Sequence, residues 1–100
     1  MSSFSKEVPH QLGRNEAKQR LQTFLEKVTQ QFQEHVTKLN GEWDDNVLRF
    51  AFTTYGFNIT GTLTVEENVA RVEGKLPLAA LLFKGAIEQS IGDELKRELA

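Results

Sequence analysis

Residues 47–76 read VLRFAFTTYGFNITGTLTVEENVARVEGKL, and their alternation decides the fold. Leu48, Phe50 and Phe52 alternate with Arg49, Ala51 and Thr53 until Gly56 interrupts the pattern. Phe57, Ile59, Leu63 and Val65 then take one side, with Asn58, Thr60, Thr62 and Thr64 on the other. After a turn at Glu66-Glu67-Asn68, Ala70, Val72 and Leu76 oppose Arg71, Glu73 and Lys75. A period of two is that of a strand with one buried face. Three such strands in succession, joined by short turns, form an antiparallel meander that wets its other face.

Upstream, Trp43 centres a short strand over residues 42–44, followed by a turn at Asp45-Asn46. Residues 13–39 change period: Ala17, Leu21, Phe24, Leu25, Val28, Phe32, Val36 and Leu39 recur at steps of three and four. That spacing predicts one amphipathic helix. Gly13 suits its N-cap, Glu16 favours its positive end, and Asn40-Gly41 supplies a left-handed stop. A short strand is expected over residues 4–8, ended by Pro9, which cannot donate to a ladder.

Downstream lies LPLAALLFKGAIEQSI, residues 76–91. Pro77 suits the first position of a helix running to about residue 99. Helical spacing puts Phe83, Ile87 and Ile91 on one face and Leu78, Leu81 and Leu82 roughly opposite. Such a run is apolar all round, so it is either buried from several sides or an exposed interaction patch, and both readings stand. Gly85 and Gly92 each cost roughly 1 kcal/mol against alanine within a helix, Gly85 in a place that suits close approach of another helix and Gly92 at a bend.

These faces predict an α+β two-layer sandwich of order β-α-β-β-β-β-α, with both helices on one face of an antiparallel sheet. The opposite face is open and lined by Arg49, Thr60, Thr62, Thr64, Arg71 and Lys75. One hundred residues fit a single domain, 1–100.

Composition narrows the function classes. A hydrophobic share of 39% and a charged share of 26% suit a globular chain, and a net charge of -2 makes no electrostatic case for nucleic acid or an anionic membrane. Without cysteine there are no disulfides, thiolate metal sites or cysteine nucleophiles. MSSFSKEVPH has no apolar signal core, and the run at 76–83 is far short of the ~20 residues of a membrane helix. The expected location is cytoplasmic.

No constellation carries chemistry. His10 and His35 lie too far apart in the chain to share a metal, and no HxxxH or ExxH spacing exists. Asp44-Asp45 and Glu66-Glu67 abut Asn residues and read as solvated turns. The glycines form no phosphate loop. Bases stack on exposed aromatics, and here Phe50, Phe52 and Phe57 mostly point inward with only Tyr55 on the polar parity, so the threonine face reads as plainly solvated. No cofactor, no catalytic residue and no enzyme activity are expected. Leu78, Leu81 and Leu82 are left as the candidate interaction surface.

Four stretches, in order, resemble one family. HQLGRNEAKQRLQTF at 10–24 resembles its H-x-L-G-x-x-E-A opening; Trp43, LRFAF and GFNITGTLTV are similar to its strand region; LPLAALLFKGAIEQSI is similar to its closing segment. The family is the putative polyhydroxyalkanoic acid system proteins, and the likeness spans about residues 8–99. It implies a small bacterial protein linked to polyhydroxyalkanoate storage granules, with no established activity and no catalytic residue to transfer. The matching positions, His10, Leu12, Gly13, Glu16, Trp43, Gly61, Pro77, Gly85 and Ile87, suit structure as much as function. The expectation is a non-enzymatic accessory protein that contacts a granule, a granule protein or a second copy of itself. The alternative is a homo-oligomeric module that binds a small apolar ligand.

Overall fold

A computed structural model describes residues 2–31, 36–54 and 56–100. Five strands form one antiparallel sheet: β1 (Ser2–Pro9), β2 (Val36–Asp44), β3 (Val47–Thr54), β4 (Phe57–Val65) and β5 (Val69–Leu76), in the spatial order β1-β5-β4-β3-β2. Between β1 and β2 comes a helical segment made of α1 (Arg14–Arg20) and α2 (Phe24–Gln31). After β5 a 3-10 helix (Leu78–Phe83) leads into α3 (Lys84–Leu99). The layout is thus the expected α+β sandwich of order β-α-β-β-β-β-α. Since β1 and β2 occupy opposite edges, the first helical segment carries the chain across the sheet, while the meander folds back until β5 meets β1.

Among the described residues, period-two positions of β1, β3, β4 and β5 make the sheet side of the core, with Trp43 of β2 packed partly buried against it. Phe4, Val8, Leu48, Phe50, Ile59, Leu63, Val65, Ala70, Val72 and Leu76 are buried against Ala17, Leu21, Phe24, Ile91, Leu95 and Leu99 of the helices. One cross-strand row explains two glycines inside strands. Phe4 stands opposite Gly74, Gly74 opposite Gly61, and Gly61 opposite Phe50. A Cβ on Gly61 would meet the Glu73 carbonyl oxygen at 2.5 Å and Phe50 Cζ at 2.8 Å, and a Cβ on Gly74 would collide with the Phe4 ring. The two rings lie over bare backbone, so at these positions glycine provides space for packing and no turn.

Three expected boundaries shift. The first helix breaks at Leu21: Gln22 and Phe24 donate to the carbonyls three residues back, Gln19 and Leu21, and this tighter turn keeps Leu21 and Phe24 both buried. The helix also ends at Gln31, well before the expected Leu39 and its Asn40-Gly41 stop. Val36 instead opens β2 opposite Thr54, and Asn40 and Gly41 pair with Ala51 and Phe50. The cause of the misreading is a bulge. Two residues of β2, Lys38 and Leu39, lie between Thr37 and Asn40 where one of β3, Phe52, lies between their partners, and Lys38 takes a φ of 53° there. One extra residue turns a two-residue strand step into three, which is the spacing of a helix stripe. Finally, residues 77–83 are not α-helical, and Pro77 (φ -59°, ψ 151°) is extended and precedes the 3-10 helix. Phe32, His35 and Tyr55 lie outside the described residues.

Candidate interaction surface

Pro77 ends β5 with its fixed φ, and its carbonyl accepts the Ala80 N–H at 2.9 Å to close the first 3-10 turn. A 3-10 helix repeats every three residues, so its side chains stand in three columns. Ala80 and Phe83 share one, Leu78 and Leu81 another, Ala79 and Leu82 the third. The first column faces the protein: Ala80 is 1% exposed, and the Phe83 ring lies 6.4 Å from that of Phe57 at 45°. The other two columns face out. Leu78 is 67% exposed, Leu81 43% and Leu82 93%, with Phe83 itself at 43%.

The expected split between Phe83 as core and the leucines as its opposite face therefore needs one correction. A 100° step joins Phe83 to Ile87 and Ile91, but the 120° step ending at Phe83 leaves its ring half open beside Phe57. Ile87 is half-buried, and only Ile91 of that trio is in the core. The three predicted residues, Leu78, Leu81 and Leu82, stand together on one projecting turn. Sequence reasoning missed Phe83 and Phe57 as part of the same apolar end. Gly85 continues it: among the described residues nothing lies within 4 Å of where its Cβ would be, and no described helix approaches there.

Across the molecule, the open sheet face is polar, as its alternation predicts. A trough of about 710 Å³ runs between two cross-strand rows, with Ser3, Lys75 and Thr60 on one side and Ser5, Glu73, Thr62 and Arg49 on the other. Its arginines are matched by carboxylates. Arg49 lies 3.6 Å from Asp44, and Arg71 sits 3.0 Å from Glu66 and 3.3 Å from Glu7. The charge of Glu66, then the hydrogen bond to Glu7, hold the Arg71 guanidinium above its ordinary value. These pairs leave no concentrated positive field for a polyanion.

His10 is buried by a different logic. The Leu12 N–H donates to Nδ1 at 3.2 Å, so Nδ1 must carry the lone pair; Nε2 then carries the proton and donates to the Glu66 carbonyl at 3.0 Å. With its own N–H given to the Asn68 carbonyl at 3.0 Å, His10 ties the start of the helical segment to the β4–β5 turn. Both ring nitrogens are occupied by structure. Among the described residues no group of three or more His, Asp or Glu could hold a metal ion, and no helix is long and apolar enough to cross a membrane.

Fold and surface together define, among the described residues, a small α+β protein with a polar sheet face and a projecting apolar turn. The chain belongs to the family described as "Putative polyhydroxyalkanoic acid system protein", whose profile matches residues 6–99. No curated protein matches it.

Proposed function

We propose that this protein is a non-enzymatic accessory of the polyhydroxyalkanoate system, resident in the cytoplasm, and that it works by contact through Leu78, Leu81 and Leu82. The observation that carries this reading is Leu82, a leucine almost wholly in solvent at the apex of a turn anchored by buried Ala80. A folded chain has no reason of its own to expose several neighbouring leucines and a phenylalanine, and such a group marks an interaction site. Family membership points to the polymer granule as the place where it acts.

Co-sedimentation with isolated granules tests this. The wild type pellets with granules, and Leu82→Glu, still folded, stays in the supernatant. A folded Leu82→Glu that pellets as well as the wild type removes the patch from the reading. A wild type that never pellets removes the granule.

A further inference from the structure

Leu78, Leu81, Leu82 and Phe83 make an apolar projection, with half-buried Phe57 beside it, whose shape and charge select among the surfaces it could meet. We propose that it inserts directly into the neutral polyester surface of the polymer, and not into a protein groove, a second copy of this chain or an anionic lipid headgroup layer. The inference rests on the granule reading above and adds the chemistry of the occupant.

Area is the first consideration. The exposed fractions of Leu78, Leu81, Leu82 and Phe83 together equal about two and a half whole side chains. Even at the ~250 Å² of a large aromatic, that is roughly 600 Å², so the patch by itself reaches only the low end of the about 600–1,000 Å² per partner that a stable protein interface buries.

Shape is the second. Leu82 at 93% and Leu78 at 67% exposure are knobs, and a two-fold dimer would have to set each knob into a hole on the same patch. The neighbouring Gly85 offers open space with no walls. A knob without a matching hole fits a soft surface that yields around it.

Polarity is the third. From Leu78 to Phe83 no side chain can donate or accept a hydrogen bond, whereas protein interfaces carry about one for every 100–200 Å². The nearest charges along the chain are Lys84 and Lys75, the latter on the open sheet face, and the Glu88 carboxylate beyond them accepts the Ser5 N–H at 3.2 Å. A net charge of -2 gives the protein no overall attraction to anionic lipid. What remains is an uncharged, water-poor surface that demands no hydrogen-bond pattern, and an aliphatic polyester is one.

Flotation of the full chain with protein-free polyhydroxyalkanoate particles, phosphatidylglycerol vesicles and native granules tests the proposal. Expected are binding to bare polymer, no loss of it at about 0.5 M salt because no charge pair is screened, and no comparable binding to the vesicles. Leu82→Glu and Leu78→Asn should each weaken polymer binding at least roughly tenfold, as burial of a leucine implies. Emission of Trp43, on the far end of the sheet from this turn, verifies that each variant is folded. Binding to native granules but not to bare polymer overturns direct insertion while the granule reading survives; binding to neither overturns both. Preference for the anionic vesicles overturns the polyester assignment. Light scattering that shows a wild-type dimer, made monomeric by Leu82→Glu, assigns the patch to a second copy and overturns the proposal too.

Discussion

At Gly61 a methyl group would stand 2.5 Å from a carbonyl oxygen that belongs to the neighbouring strand, and that backbone has nowhere to retreat. Gly61→Ala is therefore expected to cost about 1–3 kcal/mol, the scale of overpacking, read as a lower urea midpoint with the slope unchanged. Gly85→Ala is the contrast. Its site is helical and empty, so the same methyl should be neutral or raise stability by up to ~1 kcal/mol. Both glycines look alike as letters in the chain, but their neighbours differ. Gly61 falls between Ile59 and Leu63 on the buried parity of its strand, and Gly74 between Val72 and Leu76. Glycine on a buried parity, with phenylalanines to spare, is a readable sign of ring-over-backbone packing. Which ring covers which glycine is a matter of register. His10 shows the same division: its letter says little, while its two hydrogen bonds exist only because the β4–β5 turn comes back to it.

The element that separates stability from function is the 3-10 helix. Its inward column is Ala80, and Ala80→Leu should cost about 1–3 kcal/mol by overpacking a site that is 1% exposed. Its outward column ends in Leu82, where Leu82→Glu should change stability by no more than ~0.5 kcal/mol, as surface substitutions do. Thermal unfolding of the two variants side by side gives both numbers. If Leu82→Glu melts the protein, the turn is structural and its exposure misleads. Residues 76–83 were legible as an apolar run beginning at proline, but not as a 3-10 helix, because period and burial read the same for either helix over six residues. A similar ambiguity moved residues 36–41 from helix to strand. Val36 and Leu39 keep a helical spacing because β2 is bulged, and pairing with β3 decided the matter.

At the scale of the molecule, α3 closes the fold. It packs Ile91, Leu95 and Leu99 into the core between sheet and α2, and Lys27 of α2 reaches Glu98 at 2.8 Å. Leu95→Ala should cost about 2–5 kcal/mol, since a wholly buried leucine leaves a cavity. The loss should show in hydrogen exchange across β1 and β5 as well as in α3, because one core joins them. The Lys27–Glu98 pair is partly exposed, with the lysine at 46%, and a double-mutant cycle should return only about 0.2–1 kcal/mol, falling as salt is added. A larger, salt-insensitive coupling would mean the pair is more enclosed than its exposure indicates.

Periodicity by itself determined the meander of residues 47–76, the two-layer α+β class, the polar sheet face and the apolar character of Leu78, Leu81 and Leu82. These are properties of single elements, and an element's faces are written in the spacing of its own residues. Three things belonged to the tertiary structure: the β1-β5-β4-β3-β2 order, the strand that took over residues 36–41, and the exposure of the three leucines. Each depends on what lies across from a residue in space. An apolar run reads the same whether a neighbour covers it or not, and only the folded packing leaves Leu82 in water.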